Sequence, residues 1–446
     1  MLARLRSVWF SINASYWFYP ALFSLVAFIL ALALVQLDRS GASAWVEKLP
    51  VLEPARPGGA SNMLTVLAGS MIGVASTVFS ITIAAVAYAS GNYGPRLLTN
   101  FMEDKGNQLS LATFIGTFVY SITVLRAVRA DGETSWFETA AAANAAGFVP
   151  QLSLLVAFGL MLISVAVLVY FLHHIPSSIR INAVLEGIGR HLIEMIDKLY
   201  PHETGVEDAD EPARVDGAQL EADRAGYVRL IAYEDLAATA EKHDLRLNLF
   251  IRTGDFLHTG KPILVTDQTE IEEGLAKDLR DAIIVGGSRT PEQDIDFSID
   301  ELVEIALRAL SPGINDPFTA ITAMHWLGAA TGKLGQRALL QKPADLSREY
   351  ELGRVRPLQD GFSHYLQRGF GATRSAVATN RLAACSAFDT LASFGRTIPV
   401  DERRRALLRE CDLLMEQSRR HMDGPEREEV EKRYRDAREA IIAAGR

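Results

Sequence analysis

The chain has 446 residues, a formal net charge of −9 and a hydrophobic content of 49%, which is enough length for two or three domains. The negative net charge argues against a nucleic-acid-binding protein, because such proteins carry a basic patch or stripe. The two cysteines, Cys385 and Cys411, do not form a C-x-x-C pair, so neither a disulfide framework nor a zinc ribbon is predicted.

Four long stretches without Asp, Glu, Lys or Arg lie in the first part of the chain, over residues 17–37, 63–90, 108–125 and 152–172. About 20 apolar residues are needed to cross the hydrocarbon core of a bilayer. We therefore predict four membrane spans, with the lipid bilayer as a partner. The run GASA at residues 41–44 leaves a second interpretation open, in which the first stretch is a cleaved signal peptide. The length of that stretch and its aromatic start favour a span.

Basic residues in the short loops indicate the orientation of the spans. They are Arg4, Arg6, Arg96, Lys105 and Arg180 on one side and Arg39, Lys48, Arg56, Arg126 and Arg129 on the other. This bias is small, and the large C-terminal region with unpaired cysteines favours a cytoplasmic location for that region. We predict a bacterial inner-membrane protein with both termini in the cytoplasm.

The second stretch is unusually rich in small and hydroxyl-bearing residues. Five of them recur at steps of three and four and therefore share one helical face: Gly69, Gly73, Thr77, Ser80 and Ala84. A G-x-x-x-G pair lets helices approach closely. This face is either a helix seam, within one bundle or between subunits of a homo-oligomer, or the lining of a pore; we favour the seam. The four stretches hold no Asp, Glu, Lys, Arg or His, which argues against a proton-coupled pump.

The remaining sequence alternates between charged and apolar residues. We predict a four-span domain over residues 1–175, an amphipathic helix and acidic linker over 176–225, a small β module over 226–266 and a mainly helical cytoplasmic domain over 267–446. Pro176 marks a break after the fourth span. His173 and His174 have no carboxylate beside them in the sequence, so no metal-binding or pH-sensing role is assigned to them.

The segment LSPGINDPFTA, residues 310–320, has two interpretations. In the first, it only joins two helices, with Gly313 in the left-handed position after one helix and Asp316 as the N-cap of the next. In the second, it belongs to a ligand site with the upstream Arg-Asp segment. The candidate residues are Arg289, Asp294, Asp296, Ser311, Asn315 and Asp316. Their carboxylate and amide oxygens would suit calcium or magnesium, although a helix separates the two groups.

Three segments resemble DUF2254, a domain of unknown function found in bacterial predicted membrane proteins. They are GNQLSLATFIGTFVYSITVLRAV at residues 106–128, GYVRLI with GDFLHTGKPI between residues 226 and 263, and RTPEQDIDFSIDELVEIALRALSPGINDPFTA at residues 289–320. The resemblance covers almost the whole chain. It implies a multi-span inner-membrane protein and no established activity.

The fold class predicted is a membrane α-helical protein with four spans, followed by a cytoplasmic α+β region made of a small β module and a helical bundle. We expect a homo-oligomer, either a channel or a passive transport protein with a cytoplasmic regulatory domain. The alternative is a membrane-anchored sensor or scaffold whose cytoplasmic domain binds a ligand or partner. We find no nucleophile elbow, P-loop or zinc motif, so neither an enzyme nor a cofactor is expected.

Overall fold

The computed structural model describes residues 15–41, 55–94, 104–129, 148–200, 215–339 and 354–444. The chain divides between Arg180 and Ile181 into two compact units. We call the part that ends at Arg180 the four-helix unit and the part that begins at Ile181 the αβ unit. Arg4, Arg6, Lys48 and Arg96, most of the GASA run and most of the acidic linker lie outside the described residues, so the orientation stays a prediction.

The four-helix unit contains four helices that are long and apolar enough to cross a membrane. They are α1 (Phe18–Arg39), α2 (Pro57–Tyr93), α3 (Lys105–Leu125) and α4 (Gln151–Ser178). The four apolar helices predicted from the sequence are thus confirmed. The predicted break at Pro176 lies slightly later in the chain, because α4 continues to Ser178 and the next helix begins at Ile181. A proline in the last turn of a helix removes only one backbone hydrogen bond there, so the helix tolerates it.

Helix α3 is the most enclosed helix of this unit, with more than half of its apolar window buried among the other helices. Small and hydroxyl-bearing side chains allow this close packing. A Cβ atom at Gly116 would lie 3.4 Å from Cβ of Phe23 on α1. The hydroxyl oxygens of Thr117 and of Ser164 on α4 lie 3.1 Å apart, so two buried polar groups satisfy each other.

The small-residue face of α2 points away from the described helices. Its five members Gly69, Gly73, Thr77, Ser80 and Ala84 are all exposed, whereas Leu64, Leu67, Met71, Ala75 and Val78 are buried on the opposite face. This face therefore forms no seam with the other described helices, and a seam between subunits stays a prediction. The hydroxyls of Thr77 and Ser80 donate to backbone carbonyls one turn earlier, at 3.0 and 2.9 Å.

The αβ unit begins with a helix, α5 (Ile181–Leu199), and then forms two sheets. The strands are β1 (Gln219–Glu221), β2 (Gly226–Ile231), β3 (Leu247–Leu249), β4 (Phe256–Leu257), β5 (Pro262–Thr266), β6 (Ile283–Gly286) and β7 (Val355–Arg356). One sheet has the order β1-β5-β3-β7, with β3 and β7 parallel, and the other has the order β4-β2-β6. The β module therefore extends on both sides of the predicted residues 226–266.

A single apolar core joins the two sheets to two short helices, α6 (Tyr233–Lys242) and α7 (Glu273–Asp281). Leu245, Leu247, Leu249 and Ile251 are all buried in it. Arg246, between the first two of these leucines, is exposed. The predicted alternation is only partial, because Asn248 between Leu247 and Leu249 is also buried, and only Leu247–Leu249 form ladder hydrogen bonds as β3.

The rest of the αβ unit is helical. Its elements are α8 (Ile295–Ala309), α9 (Pro317–Gln336), α10 (Phe362–Leu366), a π-helical turn (Gln367–Gly371), α11 (Ala372–Val377), α12 (Arg381–Gly395), α13 (Asp401–Ser418) and α14 (Gly424–Ala443). Helix α5 packs against α8 and α9. Its Gly189 lies directly against the ring of Trp326 on α9. The close packing of α5 on α9 therefore requires that the residue at position 189 has no Cβ atom.

We predict that Gly189→Ala destabilises the protein, because its Cβ atom would overlap the Trp326 ring. Overpacking of this kind costs about 1–3 kcal/mol. Gly187→Ala is the matched control, because nothing lies within 4 Å of a Cβ atom there and alanine is the better helix former by up to about 1 kcal/mol. Thermal unfolding of the purified protein should give a lower Tm for the first variant only. Equal Tm values for the two variants would contradict the packing described.

Candidate functional site

The predicted site residues form two groups at opposite ends of α8. Arg289, Asp294 and Asp296 lie at its start, and Ser311, Asn315 and Asp316 follow its end. Helix α8 has 15 residues and is therefore about 22 Å long. The structure does not bring the two groups of one chain together, so Asp294, Asp296, Asn315 and Asp316 of the same chain do not form one metal site.

The loop after α8 shows local capping throughout. Asp316 is the N-cap of α9, as predicted, and its carboxylate accepts hydrogen bonds from the backbone and the hydroxyl of Thr319 at 3.2 and 2.6 Å. The left-handed residue is Asn315, with φ of 49°, and not Gly313 as predicted. Asparagine tolerates this conformation better than most residues. The Ser311 hydroxyl donates to the carbonyl of Arg308 at 2.6 Å. These contacts favour the interpretation of the segment as a helix junction.

The residues at the start of α8 form contacts that capping alone does not explain. Asp294 is the N-cap of α8 and accepts a hydrogen bond from the backbone N–H of Phe297 at 3.0 Å. The Arg289 guanidinium donates to both carboxylate oxygens of Asp294, at 2.8 and 2.9 Å, and to Asp300 at 2.7 Å. The Asp294 side chain is only 2% exposed. A buried carboxylate of this kind needs a paired cation, and Arg289 supplies it.

A second segment, which the sequence analysis did not identify, completes the site. Arg368 lies in the π-helical turn and binds both carboxylate oxygens of Asp300 at 2.7 and 2.8 Å, and Asp296 at 3.0 Å. His364 lies four residues earlier, and its Nε2 is 2.9 and 3.0 Å from the two Asp296 oxygens. The other ring nitrogen, Nδ1, is 3.5 Å from Asp360. Single π-helical turns are frequent at functional sites.

The loop between β3 and β4 contributes the remaining charged residues of the site. Arg252 forms an ion pair with Asp360 and lies 3.6 Å from Asp255. We call the full set the α8 charge network. Its members are Arg252, Asp255, Arg289, Asp294, Asp296, Asp300, Asp360, His364 and Arg368. It contains five carboxylates and three guanidiniums, so negative charge is in excess.

A cavity of about 90 Å³ opens beside this network. We call it the α8 cavity. Three phenol rings line it, from Tyr200, Tyr233 and Tyr365, and the hydroxyls of Tyr200 and Tyr365 lie 2.9 Å apart. Its charged lining comes from Arg252, Asp294, Asp296 and Asp360. A volume of about 10–15 Å³ on this scale holds one water molecule, so the cavity has room for a ligand of a few non-hydrogen atoms.

Several ionisable groups around the cavity have shifted pKa values. Burial raises the pKa of the Asp294 carboxyl to about 6, against the opposing effect of Arg289. Burial also acts to raise the pKa of Asp296, but the hydrogen bond from His364 and the charge of Arg368 outweigh it, so that pKa is lowered. Burial raises the pKa of Tyr200 to about 12 and that of Tyr365 well above its ordinary value. Shifted pKa values that cluster in a cleft are a mark of functional sites.

The sequence contains only a weak signal that could have identified His364 and Arg368 as members of the site. His364 and Arg368 are four residues apart, which puts them on one face of a helix. Nothing in the sequence connects this face with α8, which begins almost 70 residues earlier. The pairing arises from the tertiary fold alone, because the π-helical turn packs against α8 and His364 on α10 contacts Asp296.

The four-helix unit contains a smaller polar cluster. His174, which was expected to have no carboxylate partner, lies 2.8 Å from Asp104. Asp104 is the N-cap of α3, and its carboxylate accepts a hydrogen bond from the backbone of Gly106 at 2.7 Å. The ring of Tyr170 stacks on the His174 ring, with centroids 5.0 Å apart. This cluster ties the end of α4 to the start of α3.

Comparisons with known proteins give a family and no activity. A family model described as "Predicted membrane protein (DUF2254)" matches residues 13–393. The curated relatives include uncharacterized proteins of Mycobacterium bovis and Mycobacterium tuberculosis, which are 33% identical over 303 residues, or 66% of this chain. The match spans only about half of those relatives, 55% of their length. No solved structure is significantly similar to the chain.

We predict that Asp294→Asn changes how stability depends on pH. The folded protein holds the Asp294 proton up to about pH 6, above the ordinary carboxyl value of 3.8. The contribution of this carboxyl to the stability of the wild type therefore falls as pH rises from about 4 to about 6, by up to about 3 kcal/mol. Asparagine remains a good N-cap and does not ionise. Relative to the wild type, the Tm of the variant should rise over this range. A relative Tm that stays constant or falls would contradict the raised pKa.

Proposed function

This chain belongs to the DUF2254 family of predicted membrane proteins, and we propose that it is a membrane-anchored sensor whose αβ unit binds a small solute in the α8 cavity. The observation that carries the proposal is the convergence of three phenols and four charged side chains on one small cavity. Ligand sites are typically concave, with apolar and aromatic walls and a few placed polar groups. The proposal assigns no catalytic reaction.

The charge network supports binding because it makes the cavity wall rigid. The carboxylates of Asp294 and Asp296 line the cavity, and Arg289, His364 and Arg368 hold them from behind. Side chains that other side chains hold in place lose little conformational entropy when a ligand binds. The side chains that meet the ligand are therefore already in position.

The proposal includes a location in the bacterial inner membrane, with the αβ unit and both termini in the cytoplasm. Cys385 and Cys411 are both free and buried in the αβ unit. Unpaired cysteines are usual in a reducing compartment and less usual in secreted domains. The αβ unit would then report on a cytoplasmic solute.

We expect Leu358→Trp to abolish solute binding, because Leu358 lines the cavity and is 40% exposed, so a larger ring there would obstruct the opening. Leu382→Trp is the matched control, because Leu382 is 37% exposed and lies on α12, outside the cavity lining. The probes are n-butylammonium, butyrate and butyramide, added to the full-length protein in lipid nanodiscs. At least one should raise the Tm of the wild type and of the control variant, as ligand linkage requires.

Two results would contradict the sensor proposal. One is a Tm that none of the three probes raises. The other is an equal response in Leu358→Trp and the wild type, which would place the binding outside the α8 cavity.

A second candidate is a homo-oligomeric channel or passive transport protein, and a different observation favours it. The face of α2 that holds Gly69, Gly73, Thr77, Ser80 and Ala84 is exposed along its whole length. A second copy of the chain could pack closely on this face, because glycine lets helix backbones approach. The Thr77 and Ser80 hydroxyls already bond within α2, so the face can pack dry as well as line a wet axis.

We predict that Gly73→Leu converts an oligomer into smaller particles, because the leucine would hold the two backbones apart. Gly159→Leu is the matched control, since Gly159 on α4 also has nothing within 4 Å of a Cβ atom and lies outside the α2 face. The particle mass in detergent, measured by light scattering, should fall for Gly73→Leu alone. Potassium flux into liposomes, measured on the same proteins, then separates a pore from a dry seam. A wild-type protein that is monomeric in detergent would contradict the proposal of a homo-oligomeric channel or transport protein.

A further inference from the structure

We propose that the solute held in the α8 cavity is a small organic ammonium cation. This inference rests on the sensor function proposed above and specifies its ligand class. Three features of the cavity carry it: the sign of the charge, the hydrogen-bond acceptors and the aromatic lining.

The first feature is the charge balance. The α8 charge network holds five carboxylates against three guanidiniums and the imidazole of His364, so the carboxylates outnumber the cationic groups even when His364 carries a proton on both nitrogens. Three of the carboxylates line the cavity, from Asp294, Asp296 and Asp360, whereas Arg252 is the one guanidinium among the described lining residues. An anionic ligand would add to this excess of negative charge in a partly buried place, where repulsion is poorly screened. A cation of one charge reduces the excess.

The second feature is the type of polar group. A carboxylate has about four acceptor positions and no donor. Asp296 uses both oxygens toward His364 and one also toward Arg368, which leaves acceptor positions for another N–H donor. The paired hydroxyls of Tyr200 and Tyr365 add further oxygen acceptors at the cavity. An ammonium group has only donors to offer and suits such a wall.

The third feature is the phenol rings. Tyr200, Tyr233 and Tyr365 line the same cavity as the carboxylates. Aromatic faces attract cations, and groups of aromatic rings beside a carboxylate are how proteins recognise organic ammonium ligands. The alkyl part of such a ligand also gains from contact with rings and with Leu199 and Ile295, which line the cavity.

A divalent metal ion fits less well. Asp296, Asp360 and His364 lie close enough to share an ion. Both nitrogens of His364, however, face carboxylates, at 2.9 Å from Asp296 and 3.5 Å from Asp360. The guanidiniums of Arg252 and Arg368 already contact the two carboxylates. A metal ion needs a free lone pair on the ring and would have to displace cations, whereas an ammonium group adds hydrogen bonds to oxygens that keep their partners.

The test is the affinity of the full-length protein for n-butylammonium chloride, measured by titration calorimetry in nanodiscs of neutral lipid. Sodium butyrate, butyramide, magnesium chloride and manganese chloride are the comparison probes. We expect saturable binding of n-butylammonium and no comparable binding of butyrate. Asp360→Asn should weaken this binding about tenfold or more, since a charge-assisted hydrogen bond is lost. Asp244→Asn is its control, because Asp244 is an exposed carboxylate paired with Arg354, outside the cavity lining.

Tyr233 separates the contribution of the ring from that of the hydroxyl. Tyr233→Phe keeps the aromatic face and should leave the affinity within about twofold of the wild type. Tyr233→Leu removes the face and should weaken n-butylammonium binding about tenfold. Equal affinities of these two variants would overturn the role of the ring, and an unchanged affinity in Asp360→Asn would place the ammonium site elsewhere.

The comparison probes distinguish the two levels of the proposal. Binding of butyrate or butyramide, lost in Leu358→Trp and without binding of n-butylammonium, would overturn the ammonium inference while the sensor function stands. Binding of manganese or magnesium that is lost in Asp360→Asn, without binding of n-butylammonium, would replace the ammonium with a metal ion. Binding of none of these probes would overturn both the inference and the sensor function.

Discussion

Carboxylates cannot leave water in numbers unless cations accompany them, and this constraint organises the αβ unit. Asp294 and Asp296 lie at the start of α8, where the partial positive charge of the helix end favours them, and Asp300 lies one turn further along the helix. That effect is small compared with the cost of burial, so guanidiniums must come close. Arg289 approaches from the preceding loop and Arg368 from the π-helical turn. The packing of the π-helical turn against α8 follows from these contacts.

The same constraint leaves a cavity where the segments meet. Planar guanidiniums and carboxylates have fixed geometries for paired hydrogen bonds, and apolar side chains cannot fill the space between them without burying a charge. Tyrosine suits such a place, because its ring packs against apolar side chains while its hydroxyl forms hydrogen bonds with polar groups. Tyr200, which follows directly after α5, and Tyr365 on α10 meet through their hydroxyls at this point. A space bounded by such groups suits a ligand that has both a charged end and an apolar end.

Local signals in the sequence predicted the parts of this structure that depend on neighbours along the chain. Long charge-free runs predicted the four apolar helices, because a bilayer requires them. The Asp-Pro pair predicted the N-cap at Asp316. The left-handed position was assigned to Gly313 instead of Asn315 because glycine adopts it most easily, yet the register of the turn decides which residue takes it. His364 and Arg368 were missed because their partners on α8 are distant in sequence, and Asp360 was missed because its partner Arg252 is more than 100 residues away along the chain.

The face of α2 illustrates another limit. The spacing of Gly69 and Gly73 predicts that they share a face, but small residues occur both where helices pack closely and where they line a space. The structure settles that Leu64, Leu67 and Met71 face inward. Residue size alone does not decide which face is buried, because Ala75 on the inward face is buried and Phe79 is exposed. What covers the small-residue face is the question that the second candidate function addresses.

The most direct measurement of the central claim is a map by electron cryo-microscopy of the full-length protein in nanodiscs, with and without n-butylammonium. The account predicts new density in the α8 cavity, between the Tyr233 ring and the carboxylates of Asp296 and Asp360, with Arg368 and His364 unmoved. An unchanged cavity at saturating probe, or density bound at another surface, would contradict it.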